Sequence, residues 1–304
     1  MKISIVTSLF QSSQFIKLFY DEYIFQLKKL DLEYEFIFVD DGSLDNSIST
    51  VLELKEFDKN ITLISLTRNF GQYPAIFAGL NYANGDYIYV CDIDMEDPVS
   101  VFEKMYIKLK LNSDIDLVYS FFDKRKGGFK RGFLGAVFYI FFNSLSEIKI
   151  AQNQSWQRMM TKRFLKSLLV FQENETIPSG LFTLTGYKSE GIKIDRIYKG
   201  FTSYTLTKRL KAAFNGLISF SSKPLIMISK LGFLITLFSI LFMIYILYKK
   251  IFVVDFQAGW LSLIISIWLV GGIIIFSIGI IGLYLSKIFN QVKSRPLFLI
   301  KEIL

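Results

Sequence analysis

The sequence has 304 residues, a formal net charge of +8 and 52% hydrophobic residues, a share that predicts that part of the chain lies in lipid. Its single cysteine, Cys91, excludes an intrachain disulfide, and the lack of histidine excludes zinc sites and catalytic triads built on histidine. A metal site would need oxygen ligands, which suit Mg²⁺ or Mn²⁺. The basic residues follow no known nucleic-acid-binding module, so we expect no nucleic-acid partner.

Up to about residue 122, short apolar runs alternate with helical periodicity. We predict strands at Ile3–Ser8, Tyr34–Val39, Ile61–Leu66, Asp86–Val90 and Asp116–Phe122, and helices at Gln14–Leu30, Pro74–Ala83 and Pro98–Leu111. Ser43 is predicted to be the N-cap of another helix, with Asp45 in its first turn. The alternation predicts a parallel α/β sheet, in which ligands bind beyond the C-terminal ends of the strands.

Two later stretches, Lys124–Phe142 and Thr202–Phe220, mix basic and aromatic side chains. Each is typical either of a helix that lies flat in a membrane interface or of a soluble helix with a solvated basic face. We favour interfacial helices, because segments long enough to enter lipid follow directly.

Two uncharged apolar runs, Leu231–Tyr248 and Ala258–Ser286, are the clearest feature of the sequence. Each can cross a hydrocarbon core of ~30 Å, and this length disfavours the alternative of two buried core helices. The connecting loop carries fewer basic residues than the outer flanks, which predicts a multi-pass protein of the inner (plasma) membrane with both termini in the cytoplasm. We therefore expect a cytoplasmic domain at residues 1–222 and a membrane domain at 223–304.

Carboxylates follow the predicted strand ends. Asp92 and Asp94, two residues apart after an apolar strand, can hold a divalent cation against a diphosphate, with Asp97 as a third carboxylate nearby. Asp40 and Asp41 end the second strand, where they can accept hydrogen bonds from a base or a ribose hydroxyl. Taken singly, each group is also typical of a solvated loop or a turn.

The motifs at these strand ends resemble those of glycosyltransferase family 2, in particular its polyprenyl-phosphate branch with two C-terminal spans. The matching segments are Val-Asp-Asp-Gly-Ser-x-Asp at 39–45, Thr-Arg-Asn-Phe-Gly-Gln at 67–72 and Asp-Ile-Asp-Met-Glu-Asp-Pro at 92–98. The resemblance implies an α/β fold, with a GT-A, Rossmann-like nucleotide-sugar domain followed by interfacial helices and two transmembrane helices. It also implies inverting sugar transfer from a nucleotide-sugar donor with Mg²⁺ or Mn²⁺.

We expect several groups of site residues. Donor binding is expected of Asp40, Asp41, Arg68 and Asp92, since Arg68 near a glycine suits a loop close to phosphate or sugar. Asp92 and Asp94 are the expected metal ligands, and Asp94, Asp97 and Arg158 are the expected catalytic residues. The basic residues expected to meet an acceptor phosphate are Lys124, Arg125, Arg131, Arg196 and Lys199.

Three segments depart from the family pattern. Residues 7–11, Thr-Ser-Leu-Phe-Gln, stand where the family has Pro-x-x-Asn-Glu, and the paired arginines near the end of the domain are altered. Residues 155–159, Ser-Trp-Gln-Arg-Met, replace Gly-Asp-Phe-Arg-Leu. Trp156 therefore stands at the position of the aspartate that the family resemblance suggests as the base.

Trp156 bears on the identity of the acceptor. A phosphomonoester is largely ionised at pH 7 and needs no base, whereas a sugar hydroxyl normally does. We therefore favour transfer to polyprenyl (undecaprenyl) phosphate, for assembly or modification of a cell-surface glycan. The alternatives are transfer to the hydroxyl of a lipid-linked saccharide and a catalytically degenerate membrane scaffold. The sequence leaves open the sugar, the nucleotide and the oligomeric state, with a homo-oligomer among the options.

Overall fold

The computed structural model describes residues 1–122, 154–171, 178–194, 221–252 and 260–304. Within these ranges the strands are β1 Lys2–Leu9, β2 Glu33–Asp40, β3 Ile61–Leu66, β4 Tyr87–Val90, β5 Leu117–Phe121, β6 Gln154–Thr161, β7 Ser189–Lys193 and β8 Ile300–Ile303. The helices are α1 Ser13–Lys29, α2 Ser47–Phe57, α3 Gln72–Leu80, α4 Val101–Leu111, α5 Lys162–Leu168, α6 Pro178–Leu184, α7 Lys223–Phe252 and α8 Trp260–Val292. The strands and helices predicted with bounds up to residue 122 are confirmed to within three residues at each end.

The described strands form one sheet in the order β7-β5-β6-β4-β1-β2-β3-β8. Strands β4, β1, β2 and β3 are mutually parallel, as predicted. The sheet as a whole is mixed, however, because β6 inserts antiparallel between β4 and β5, and β8 pairs antiparallel with β3. The five strands predicted up to residue 122 all run in one direction, since β4 and β5 are both antiparallel to β6, and the prediction of a parallel sheet fails only because β6 and β8 are added to it. Both inverted strands come from parts of the chain that follow the alternating pattern.

Helices cover both faces of the sheet. On one face, α1, α2 and α4 pack a core that includes Phe19, Tyr23 and Phe102. On the other face, α3, α5 and α6 pack a second core that includes Phe77 and Phe164. Because parallel strands are buried on both faces, they appear in the sequence as nearly continuous apolar runs, which is why their positions could be predicted.

The prediction that Ser43 caps a helix was wrong. Helix α2 begins four residues later, and Asn46 occupies its N-cap position. A carboxylate of Asp45 accepts hydrogen bonds from the backbone N–H of Ser47, at 3.1 Å, and from its hydroxyl, at 2.6 Å. Asp45 therefore accepts a hydrogen bond from one of the free N–H groups in the first turn of α2. Ser43 lies before the helix, and its hydroxyl oxygen accepts a hydrogen bond from the backbone N–H of Gln11 at 3.1 Å.

Two C-terminal helices are long and apolar enough to cross a membrane. The most apolar segments, Lys223–Phe242 and Leu269–Val292, each have a mean hydropathy of 2.3, and none of their described side chains is buried. They overlap the predicted runs Leu231–Tyr248 and Ala258–Ser286 and support membrane association. The orientation and the boundary at residue 222 remain predictions, and the basic-aromatic stretches Lys124–Phe142 and Thr202–Phe220 lie outside the described residues.

The two apolar helices contact each other at one end, and the chain returns to the sheet after the second. The Tyr284 hydroxyl on α8 donates a 2.7 Å hydrogen bond to the backbone oxygen of Ser221, two residues before α7. After α8 the chain returns to the sheet, where the Thr67 N–H donates to the Leu299 oxygen at 3.0 Å and β8 pairs with β3. The second apolar helix is thus connected directly to an edge of the α/β domain.

Candidate functional site

The carboxyl ends of β1 to β4 meet at one end of the sheet because these strands are parallel. We call this the carboxyl end of the sheet. This end of the sheet carries the residues predicted to bind the donor, which are Asp40, Asp41, Arg68 and Asp92. It also carries Asp94, which was predicted as a metal ligand and a catalytic residue. The segment Asp92–Pro98, which joins β4 to α4, is called the acidic loop below.

Asp41 shapes the neighbouring loop. Its two carboxylate oxygens accept hydrogen bonds from the backbone N–H groups of Phe70, at 2.6 Å, and Gly71, at 2.9 Å. Burial raises the pKa of Asp41, while these two donors act in the opposite direction. A side chain on Gly42 would lie 2.8 Å from the backbone nitrogen of Asn69, and its φ is +74°, so only glycine fits this approach. Asp41 therefore holds the loop that carries Arg68.

Asp40 and Arg68 differ sharply in exposure. Asp40 is buried, and its carboxylate accepts the N–H of Ser43 at 3.2 and 3.3 Å. Arg68 is exposed; its guanidinium lies 4.0 Å from the centre of the Phe70 ring and donates to the Asn69 oxygen at 2.9 Å. The carboxyl end of the sheet thus presents an arginine toward solvent, while both aspartates of the Asp-Asp-Gly motif form hydrogen bonds to backbone groups.

The acidic loop presents two half-buried carboxylates. Oδ1 of Asp92 accepts a 2.6 Å hydrogen bond from the side-chain amide of Gln72, and Oδ1 of Asp94 accepts the N–H of Glu96 at 3.1 Å. Ile93, between them, is buried in the core. The chain turns at Ile93 and Asp94, and Met95 follows with a φ of +51°, so the two carboxylates lie on a turn that is anchored to the core by the buried isoleucine.

The donor set fits Mg²⁺ or Mn²⁺ only in part. In the described portion of the chain, no group of three or more His, Cys, Asp or Glu side chains is arranged to hold a metal ion. Mg²⁺, however, is commonly held by one or two carboxylates, completed by substrate phosphates and water. Asp92 and Asp94 meet that requirement, and the dependence on a metal stays a prediction.

Asp97 lies deeper than this pair. Its side chain is buried, and Oδ2 accepts a hydrogen bond from the Ser155 hydroxyl on β6. The carboxylate thus connects the acidic loop to the sheet. Its predicted catalytic role is not tested by these contacts, but its position suits a residue that holds the loop in place.

Arg158 is a buried cation next to the acidic loop. It pairs with Val90, the last residue of β4, and only 3% of it is exposed. Nε donates to the Trp156 oxygen at 3.2 Å and Nη2 to the Ser155 oxygen at 2.8 Å, while Nη1 has no hydrogen-bond partner among the described residues. Burial lowers the pKa of Arg158 to about 10, and the charge of Asp92 opposes this shift.

Two aromatic rings flank the Arg158 guanidinium. The centre of the Phe182 ring is 4.2 Å away and that of the Trp156 ring is 5.5 Å away. Because β6 runs antiparallel to β4, Trp156 lies beyond the end of β4, beside the acidic loop. An indole offers no proton acceptor, so the position that would hold the expected base instead contributes an apolar wall.

The residues predicted to meet the acceptor phosphate, Lys124, Arg125, Arg131, Arg196 and Lys199, lie outside the described residues. Gln72, Ser155 and Gln157 were not predicted as site residues. Gln72 ends the matched segment 67–72, and this position beside Gly71 is the sequence feature that could have indicated a site residue.

The model of the glycosyl transferase family 2 domain matches residues 4–171, more than half of the chain. The chain belongs to glycosyl transferase family 2. A Mycobacterium tuberculosis protein described as a glycosyltransferase is 35% identical over 100% of this chain and 88% of its own length. The prophage bactoprenol glucosyl transferase homolog of Escherichia coli is 30% identical over 100% and 99%. The bactoprenol glucosyl transferase of Shigella phage SfII is 29% identical over 99% and 98%.

Among solved structures, glucosyl-3-phosphoglycerate synthase from Mycobacterium tuberculosis, in complex with phosphoglyceric acid, has a TM-score of 0.49 at 18% identity, covering 70% of this chain and 76% of that chain. The family match, rather than this weaker likeness, decides the assignment. It confirms the resemblance to family 2 and, with the mixed sheet, the GT-A type of fold followed by two apolar helices. The protein is a nucleotide-sugar glycosyltransferase.

Proposed function

We propose that this glycosyltransferase transfers a sugar, with inversion, from a nucleotide-sugar donor to a polyprenyl phosphate at the cytoplasmic face of the inner membrane. The observation that carries the proposal is the pair Trp156 and Arg158 beside Asp92. This pair supplies a cation and no carboxylate where the family has its expected base. An acceptor that is already an oxyanion suits such a site, because it needs charge neutralisation rather than deprotonation.

Names of relatives support a lipid acceptor. The phage SfII protein is named a bactoprenol glucosyl transferase, and the Escherichia coli protein is named a prophage bactoprenol glucosyl transferase homolog. Bactoprenol is a polyprenol, and its phosphate is the acceptor class proposed here. Glucose is accordingly the first sugar to test, although identities near 30% leave room for another hexose.

The path of the chain also supports an acceptor held at the membrane. Helix α8 ends at Val292, and Leu299 already bonds to Thr67, next to Arg68. Seven residue steps span at most about 25 Å when fully extended. The carboxyl end of β3 therefore lies within that distance of the end of an apolar helix, in the range where a lipid phosphate is accessible.

The proposed step is one displacement at the anomeric carbon. A phosphate oxygen of the acceptor attacks that carbon from the side opposite the donor diphosphate, and the nucleoside diphosphate leaves with the bonding electrons. No proton is removed, since the acceptor is largely a dianion at neutral pH. Arg68 is exposed for the donor diphosphate, and Arg158 supplies positive charge behind Asp92. A divalent cation held by Asp92 and Asp94 would neutralise charge on the departing diphosphate.

The test is the product. Membranes containing the full chain are supplied with polyprenyl phosphate, Mn²⁺ and a panel of labelled nucleotide sugars that begins with UDP-glucose, and lipids are then extracted. We expect label in a lipid monophosphate that mild acid releases, and label reduced on the order of 10²-fold or more with Asp94→Asn. Label found only on a saccharide hydroxyl would defeat the proposal, and nucleotide binding without transfer from any donor would favour the scaffold alternative.

A further inference from the structure

Strand β6 presents different chemistry on its two faces. Trp156 and Arg158 face the core packed by α3, α5 and α6, whereas Ser155 and Gln157 alternate with them and face the core packed by α1 and α4. Both polar residues are buried, with Ser155 8% and Gln157 1% exposed. Burial of a polar side chain is unfavourable unless it forms hydrogen bonds, so the partners of Ser155 and Gln157 indicate what these residues do.

Gln157 reaches the far end of the acidic loop. Its side-chain amide donates to the Pro98 oxygen at 3.2 Å and to the Tyr89 hydroxyl at 2.6 Å. The Tyr89 hydroxyl in turn lies 3.2 Å from that of Tyr23. Pro98 closes the acidic loop just before α4, so the amide links β6, β4 and the start of that helix.

Ser155 makes a second link to the same end of the loop. Its hydroxyl donates to Oδ2 of Asp97 and also accepts the backbone N–H of Gln157 at 3.2 Å. Residues 97 and 98 are therefore both bound by neighbouring side chains on β6. The other end of the loop is fixed by β4, through the pairing of Val90 with Arg158.

We propose that Ser155 and Gln157 are positioning residues that fix the acidic loop, so that Asp92 and Asp94 are held in one arrangement for a divalent cation and a donor diphosphate. The identity of the bound cation and diphosphate rests on the proposed function, whereas the ordering of the acidic loop by Ser155 and Gln157 does not. Gln157 does not touch the reacting groups; it acts through the backbone of Pro98, while Ser155 acts through Asp97.

The hydrogen bonds of Gln157 indicate that this side chain adds little to the free energy of unfolding. Its Oε1 is buried without a hydrogen-bond partner among the described residues, which is unfavourable. Without the amide, the Pro98 oxygen would keep the N–H of Val101 at 3.2 Å, and Tyr89 would keep Tyr23. Gln157→Leu should therefore fold, with a melting temperature equal to or above that of the wild type.

The experiment compares the full-length wild type with Gln157→Leu and with Tyr23→Phe, which removes one hydroxyl of the same buried network but leaves the contact to Pro98. Hydrogen exchange of the peptide that covers residues 92–100 reports loop order without any ligand. We expect about tenfold faster exchange in Gln157→Leu and wild-type exchange in Tyr23→Phe. Unchanged exchange in Gln157→Leu, or equal acceleration in both variants, would overturn the proposal.

Titration with Mn²⁺ alone, followed by loss of the free-ion paramagnetic resonance signal, is the second measurement. Binding about tenfold weaker in Gln157→Leu, at unchanged melting temperature, supports the positioning role. Equal affinity in the two proteins contradicts it. If the wild type itself binds no Mn²⁺, the metal part of the proposed function fails, and hydrogen exchange still decides whether Gln157 orders the loop.

Discussion

The side-chain amide of Gln72 donates a 2.6 Å hydrogen bond to Oδ1 of Asp92, and this contact joins the first residue of α3 to the acidic loop. The residue before it, Gly71, is held by Asp41 at the end of β2. The carboxyl ends of β2, β3 and β4 are therefore linked through side-chain contacts. A change at any one of them is expected to alter donor binding at the others.

Asp94→Asn should lower turnover on the order of 10²-fold or more, because it removes a charged ligand for a cation that neutralises the leaving group. The measurement is sugar transfer to extracted lipid at saturating and at limiting Mn²⁺, with the larger loss at limiting metal. Glu103→Gln is the matched control, since that carboxylate pairs with Lys29 on the helix surface at 2.7 Å. Near-normal turnover of Asp94→Asn at limiting Mn²⁺ would show that the ligand assignment is wrong.

Arg158→Met should abolish most turnover and leave the melting temperature unchanged or raised. Burial lowers the pKa of Arg158 to about 10, below its ordinary value of 12.5. The charged form is therefore unfavourable in the fold at every pH below about 10, and this cost is relieved as the pH rises from about 10 toward 12.5. Exchange of a buried charge for an apolar side chain of similar size is often neutral or stabilising.

Arg163→Met provides the contrast to Arg158→Met. Arg163 forms an ion pair with the buried Asp116, so its loss leaves a buried carboxylate without its cation. We expect a lower melting temperature and unchanged turnover per folded molecule. Thermal unfolding and the transfer assay are measured on both variants. A large stability loss in Arg158→Met would mean that Arg158 serves the fold rather than the reaction.

The rate of transfer should change little between pH 7.5 and about pH 6.5. An acceptor phosphate stays ionised down to its second pKa, near 6, and needs no base on the protein. Initial rates at saturating donor across this range are the measurement, with buffer exchanged at constant ionic strength. A rate that falls steadily across the range would indicate that a titrating base deprotonates the acceptor, which favours a hydroxyl.

Deletion of β8 should destabilise the α/β domain. Leu63 of β3 exchanges two backbone hydrogen bonds with Leu304, and β8 covers the outer edge of β3. We expect a lower melting temperature and faster hydrogen exchange in β3. The control is Lys301→Ala, since this exposed side chain lies 3.6 Å from its neighbour Glu302 and contributes little. Equal stability of the deletion and the control would argue against a structural role for β8.

Much of the fold could be predicted because β1 to β4 are buried on both faces and therefore show apolar runs. Strand β6 could not, since Gln154, Gln157 and Arg158 interrupt any such run, and its inverted direction depends on pairing with distant strands. Strand β8 is only four residues long and follows two apolar helices.

The candidate site shows the same division. The acidic loop could be located from the Asp92 and Asp94 motif, because the chemistry is local in sequence. Its supports could not, since Gln157 and Tyr89 are 68 residues apart, and Gln72 and Asp92 are 20 apart. Local spacing carries no information about such contacts. The sequence predicted that Asp41 binds the donor, and it did not predict that the Asp41 carboxylate accepts hydrogen bonds from the backbone of Phe70 and Gly71. These partners belong to the loop that follows β3, so they are distant from Asp41 in sequence.

The position of β8 has a consequence for biosynthesis. The ribosome makes β3 early, but the strand that covers its outer edge emerges only after α7 and α8 have been synthesised. Until then, the unpaired edge of β3 is free to pair with another chain. Synthesis of the apolar helices therefore precedes completion of the sheet, and a nascent chain stalled within α8 would carry an unfinished catalytic domain.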